Sequence, residues 1–139
     1  MLAKKVLDSI PRSTRTLRKI TVSVLDGSLT FHQTRVLFFI KEGLGQSQIA
    51  EVMQVSPAAV CKLMQQLSEK KFIKMSPGQD RRSRKINLTT EGSKILGLVM
   101  RSIEKKLNKG IESLSNSERD DLMKGLEVLD KLTAQLIEG

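Results

Sequence analysis

The sequence predicts a mainly α-helical chain interrupted by one small two-stranded β-hairpin, and three observations predict it. Apolar residues recur at helical spacing through most of the chain. Helix-start signals precede those stripes, at Thr30–Gln33, Ser56–Pro57 and Ser115–Glu118. Only two short runs alternate instead, "FIKM" (Phe72 to Met75) and "RKINL" (Arg84 to Leu88), and they flank a Pro-Gly turn. At 139 residues, with four Phe and neither Tyr nor Trp, the core is aliphatic and gap-filled by some of the six Met.

Residues 1–28 read as a helix, with Pro11 suited to its first turn and Gly27 closing it. Thr30 caps the second helix in a T-x-x-Q box with Gln33; Val36, Leu37 and Ile40 face inward, and Gly43 ends it. A short helix from Ser47 to Met53 turns Ile49, Ala50 and Met53 inward, and Gln54–Val55 redirect the chain. Ser56 is an N-cap and Pro57 sits at N1, where its missing N–H is harmless. The helix "PAAVCKLMQQLSEK" buries Val60, Leu63, Met64 and Leu67. Two helices joined this tightly make a helix-turn-helix, and the hairpin after it must lean on them to be stable.

A long helix from the Thr89–Thr90 cap to near Leu114 carries Leu96, Val99, Met100, Ile103, Leu107 and Ile111. The last helix opens with the Ser115–Glu118 box and carries Leu122, Leu126, Leu129, Leu132 and Leu136. These stripes are wider than the small central unit can cover, so burial against a second copy in a symmetric homodimer is expected. The architecture is a single domain, a winged helix-turn-helix with N- and C-terminal dimerisation helices. Its parts are an N-terminal dimerisation helix (1–28), a winged helix-turn-helix (29–90) and C-terminal dimerisation helices (91–139).

The net charge of +9 is unevenly placed: +4 over residues 1–28, zero over 29–55, +6 over 56–90 and −1 over 91–139. A surplus gathered in one 35-residue block is the footprint of a polyanion binder, whereas a merely solvated surface would spread it. No run approaches the roughly 20 apolar residues of a membrane span, and no signal-peptide core opens the chain, so it is expected in the cytoplasm. One His and one Cys are a poor catalytic or zinc-binding set, and no nucleophile elbow, P-loop or H-E-x-x-H motif occurs. Neither enzyme activity, metal nor cofactor is expected.

Three segments resemble the MarR family of bacterial transcription regulators. "LTFHQTRVL" (Leu29 to Leu37) looks like its L-T-x-x-Q-x-x-x-L opening, and "SQIAEVMQVSPAAVCKLMQQLSEKKFI" (Ser47 to Ile73) is similar to its helix-turn-helix. "DRRSRKINLTTEG" (Asp80 to Gly92) matches its wing signature D-x-R-x-x-x-[IV]-x-L-T-x-x-G at every fixed position. The resemblance implies a dimer that binds pseudo-palindromic operators in double-stranded DNA and usually represses, with small ligands or oxidation releasing it. Two departures stand out. Lys71 occupies a position where the family usually has Gly, so it must tolerate a left-handed turn or end the helix differently. The chain also lacks the N-terminal Cys of the redox-sensing branch and the His, Cys and carboxylate cluster of the metal-sensing branch.

At 100° per residue the stripe of Val60, Leu63, Met64 and Leu67 leaves Ala58, Lys62, Gln65 and Glu69 on the opposite face. Ala58, Lys62 and Gln65 would enter a major groove, where Gln pairs with adenine, Lys reaches guanine or phosphate, and an Ala methyl meets thymine. Ala59, Cys61 and Gln66 flank them, and Ser56 with the free N–H groups of the helix start suits a phosphate. In the wing, Arg81, Arg82 and Arg84 are expected in a neighbouring minor groove, with Asp80 orienting Arg82. Lys85, Lys74 and Ser47 are candidates for backbone phosphates.

Other features have two readings each. Arg12, Arg15 and Arg18 form a basic stripe that is either solvated or contacts DNA backbone or an anionic effector. Cys61 is either a half-buried filler or an oxidation switch; His32 is expected at the surface. Met100 and Ile103 line either an effector pocket or the core. The alternative function is a winged-helix interaction module whose basic surface meets an acidic protein.

Overall fold

A computed structural model of the chain describes residues 1–76 and 85–138. Among them the order is α1 (Leu2–Val24), α2 (Phe31–Lys41), α3 (Gln46–Met53), α4 (Pro57–Glu69), β1 (Ile73–Ser76), β2 (Lys85–Leu88), α5 (Thr90–Ile111) and α6 (Asn116–Glu138). The mainly α class with one antiparallel hairpin is the one the sequence predicts. None of these helices is long and apolar enough to cross a membrane.

The chain divides into two compact units, Met1–Ile103 and Glu104–Gly139. The core of the first is aliphatic. Val36, Leu37 and Ile40 of α2, Ile49 of α3, Val60, Met64 and Leu67 of α4, Ile73 of β1, and Leu96 and Val99 of α5 are buried together. Thus the first half of α5 shares one core with the helix-turn-helix. In the second unit the Ser115–Glu118 box starts α6 as expected: the Glu118 N–H donates to Ser115 Oγ (3.1 Å) and the Ser115 N–H to Glu118 Oε1 (2.9 Å). Arg119 donates to the carbonyls of Ile111 and Glu112, capping the end of α5.

Local chemistry explains the helix boundaries. Thr30 and Gln33 form the reciprocal capping box at the start of α2. Helices α2, α3 and α4 all close with the same pair of bonds around a left-handed residue. Gly43 (φ 93°), Gln54 (φ 55°) and Lys71 (φ 64°) hold that position. At α4 the Phe72 N–H reaches the Leu67 carbonyl (3.0 Å) and the Lys71 N–H the Ser68 carbonyl (2.9 Å), a Schellman closure. Lys71 therefore takes the left-handed turn, at a cost of about 1–2 kcal/mol relative to an unstrained residue.

Several expectations at the edges are corrected. Pro11 lies inside α1 and not in its first turn, because the helix already begins at Leu2. The missing proline N–H removes one bond to the preceding turn of α1. Leu25, in extended conformation, ends α1, and Gly27 (φ 97°) belongs to the following loop. α5 stops at Ile111, three residues early, and β1 starts at Ile73, one residue later than expected. Leu63 is half-buried beside the fully buried Val60, Met64 and Leu67.

Candidate nucleic-acid interface

Helix α4 is presented by its caps and by its buried stripe. Gln54 in left-handed conformation ends α3 and allows only Val55 before the next cap. Ser56 Oγ accepts from the Ala59 N–H (3.1 Å), the Ser56 carbonyl from the Val60 N–H (3.2 Å), and Pro57 at N1 needs no acceptor, so the helix start is ordered. With Val60, Met64 and Leu67 turned into the core, Ala58, Ala59, Cys61, Lys62 and Gln65 are exposed along the other side. Ser47, at the start of α3, is exposed as well. Cys61 is thus not the half-buried filler weighed above; it is a free thiol at the surface beside Lys62.

The hairpin extends this surface. Its register pairs Ile73 with Leu88, Lys74 with Asn87, Met75 with Ile86 and Ser76 with Lys85. Side chains alternate across a sheet, so the Ile73–Leu88 and Met75–Ile86 pairs line the inner face, and Lys74 and Lys85 share the exposed one. Asp80, Arg81, Arg82 and Arg84 lie outside the described residues. Within 56–76 and 85–88 the only carboxylate is Glu69, so the surface carries Lys62, Lys71, Lys74 and Lys85 almost unopposed, while Lys70 is engaged by α2 and the loop before it.

The hairpin is tied to α5 by a compact set of bonds around Gly92. The Thr89 N–H donates to the Phe72 carbonyl (3.0 Å), Thr89 Oγ1 donates to the Lys71 carbonyl (2.7 Å), and the Gly92 N–H donates to Thr89 Oγ1 (3.0 Å). A Cβ at position 92 would overlap the Phe72 carbonyl oxygen and stand 2.9 Å from its carbon. Backbone passes too close to admit any side chain there. The T-x-x-G end of the wing signature is therefore a clamp between the turn after α4 and the start of α5.

Gln66, expected to flank the groove-facing residues, is half-buried and turned toward α2. Its Oε1 accepts from Gln33 Nε2 at 3.0 Å. Lys70, which the sequence did not single out, donates to Gln33 Oε1 (2.8 Å) and to the Ser28 carbonyl (2.7 Å). Its partners are 37 and 42 positions away, beyond any local pattern; the only available hint was the i, i+4 placement of Gln66 and Lys70.

The arginine stripe of α1 is divided. Arg12 Nε donates to the Asp8 carbonyl (3.0 Å), whereas the Arg18 guanidinium lies 4.7 Å from the centre of the Phe31 ring. Arg35 approaches Phe31 and Phe39 from α2, at 5.9 and 5.5 Å. His32 is exposed, edge-on to Phe31. Met100 and Ile103 pack against the core. A cavity of about 130 Å³ nearby is lined by other residues, among them Val24, Asp26, Ser28, Ile95, Leu98 and Ser102. Asp26 Oδ1 accepts from the Ser28 N–H (3.0 Å), and hydrogen bonds from the Ser28 side chain and backbone hold the Asp26 carboxyl below its usual value.

The sequence matches no protein-family profile and no protein of curated function. Solved structures give a different result. The chain superposes on Staphylococcus aureus MarR in complex with salicylate and kanamycin with a TM-score of 0.80, at 18% identity over 100% of this chain and 95% of that one. The fold is that of the MarR regulators. Wild-type apo MarR from E. coli is similar at a TM-score of 0.73 and 21% identity, over 91% and 94% of the two chains. A mutant MepR of S. aureus bound to an oligodeoxyribonucleotide gives 0.60 and 24%, over 94% and 97%. Within this MarR-like fold, α3 and α4 are the helix-turn-helix and β1–β2 the base of the wing.

Proposed function

We propose that this chain is a sequence-specific double-stranded DNA-binding transcription regulator. It acts in the cytoplasm as a homodimer, represses from a pseudo-palindromic operator and is released by a small ligand. The observation that carries the reading is the exposed face of α4, with Ala58, Lys62 and Gln65 beyond a capped helix start, continued by Lys74 and Lys85 on one face of the adjoining hairpin. A helix enters a major groove and offers amide, ammonium and methyl groups to base edges, and the hairpin lysines meet phosphates. The arginines at 81, 82 and 84 add charge to the stretch of sequence between the two strands. A shared fold with regulators, one of them bound to an oligodeoxyribonucleotide, supports the same direction.

Dimerisation is supported by apolar side chains left uncovered in the single chain. α6 exposes Leu122, Met123, Leu126, Leu132 and Leu136, and α1 has no buried residue. Such faces are hidden when a two-fold partner supplies the same stripe. Release by a ligand is supported by the fold shared with S. aureus MarR in complex with salicylate and kanamycin.

Selection of bound sites from random duplex DNA tests the reading. The expected product is two inverted half-sites about one helical turn apart. Recovery of no enriched sequence, with binding instead to an acidic protein, would replace it by the interaction-module alternative.

A further inference from the structure

Behind the interface, polar groups from two stretches distant in sequence, 26–33 and 66–70, share one run of hydrogen bonds. Gln33 is buried, with 4% of its surface exposed. Its Oε1 accepts from the Thr30 N–H (3.1 Å) and from Lys70 Nζ (2.8 Å). Those two donors fix the orientation of the amide, so Nε2 must face the other way, where it donates to Gln66 Oε1. Lys70 Nζ also holds the Ser28 carbonyl at 2.7 Å, and the Ser28 N–H is itself held by Asp26. The loop before α2, the start of α2 and the last turns of α4 are thereby joined.

The consequence concerns how α4 is aimed. Val60, Met64 and Leu67 pack it onto the core, but apolar contact is non-directional and tolerates some roll of a helix about its own axis. Hydrogen bonds do not tolerate it, because they weaken steeply off line. A helix with side chains is about 10–12 Å across, so a 10° roll moves a side-chain tip by about 1 Å. A displacement of that size breaks a bidentate contact to a base edge, while a lysine on a phosphate simply follows. Gln66 and Lys70, one turn apart, are bonded to the same buried glutamine and so restrain roll directly.

We propose that Gln33 and Lys70 are positioning residues for sequence readout: they set the rotation of α4 about its axis and hence the direction of Ala58, Lys62 and Gln65. The inference rests on the DNA-binding reading. It goes beyond that reading by assigning discrimination between sequences to groups whose polar atoms are engaged inside the chain.

The test uses the full-length protein with Lys70→Met, Gln66→Met and the double variant. Each is titrated over a salt series with the selected duplex and with bulk mixed-sequence DNA. Lys70→Met is expected to weaken binding to the selected duplex about tenfold, within the roughly 2- to 150-fold typical of residues coupled in one network. Bulk-DNA affinity should stay within about twofold and the salt slope should not change, since no phosphate contact is lost. Gln66→Met, which removes no charge, should show the same selective loss, and the double variant less than the product of the two. It also carries the test if Lys70→Met fails to fold.

Equal loss on both DNAs with a slope smaller by about one makes Lys70 a phosphate contact and overturns the proposal. Unchanged affinity of both variants for both DNAs overturns it as well. A DNA-free readout separates the two levels of inference: the Gln33 side-chain amide protons should be protected from exchange in the wild type and lose protection in Gln66→Met. Unprotected protons in the wild type contradict the network itself. Wild-type protein that binds no duplex contradicts the DNA-binding reading instead.

Discussion

Replacing Gly92 by Ala places a methyl group where the Phe72 carbonyl passes. The new carbon overlaps that oxygen and lies 2.9 Å from its carbon and 3.2 Å from Phe72 Cα, so backbone must move. Overpacking of this kind costs about 1–3 kcal/mol. Moving Phe72 also loosens the bond from the Thr89 N–H to its carbonyl, worth about 0.5–1.5 kcal/mol. The combined loss of about 2–4 kcal/mol is a large share of the ~5–15 kcal/mol that holds a domain folded. It should lower the thermal midpoint on the order of 10 °C, read by circular dichroism at 222 nm. Gly97→Ala, five residues along the same helix, is the internal control. Its Cβ meets only the guanidinium end of Arg101, at 3.3 Å, which can swing aside. There the higher helix propensity of Ala dominates, and a gain of up to about 1 kcal/mol is expected. Equal effects of the two substitutions, or a Gly92→Ala protein as stable as the wild type, would refute the clamp.

Three further outcomes follow from the same structure. Lys71→Gly removes a left-handed lysine and should raise stability by about 0.5–1 kcal/mol in denaturant unfolding, leaving the Thr89-to-Lys71 backbone bond intact. Hydrogen bonds from the Ser115 backbone and hydroxyl hold the Glu118 carboxyl below its ordinary 4.5, so its contribution is full above that pH and fades as pH falls through the lower folded value. The melting-temperature gap between wild type and Glu118→Ala should therefore be widest at neutral pH and narrow on acidification; a gap that widens in acid contradicts the cap. If α6 forms the proposed two-fold interface, Leu126→Glu is expected to raise the dissociation constant of that dimer on the order of 10²–10⁴-fold in sedimentation experiments, because each leucine is lost twice.

What the sequence reveals and what it hides divide along physical lines. Caps act within four residues, so Thr30–Gln33, Ser56–Pro57 and Ser115–Glu118 were legible and start their helices as expected. Helical spacing likewise identified Val60, Met64 and Leu67 as the inner side of α4 and left Ala58, Lys62 and Gln65 outside. Pro11 was misplaced because a lone proline is compatible with both a helix start and a continued helix. The bond that turns Gln66 toward α2 is not legible, because its partner Gln33 lies 33 positions away. The reason for glycine at 92 was equally hidden, since the backbone it accommodates belongs to Phe72. Contacts across such distances leave no periodic trace. The arginines of the expected wing tip, Arg81, Arg82 and Arg84, fall outside the described residues, so their placement stays a matter of sequence alone.

The most direct measurement of the central claim is binding of the purified chain to its selected duplex as salt is raised from 50 to 200 mM. A cationic surface formed twice by a dimer and neutralising about six to ten phosphates should lose roughly 10³–10⁵ in affinity over that interval. Affinity that is flat across the series, or absent at the lowest salt, would contradict it.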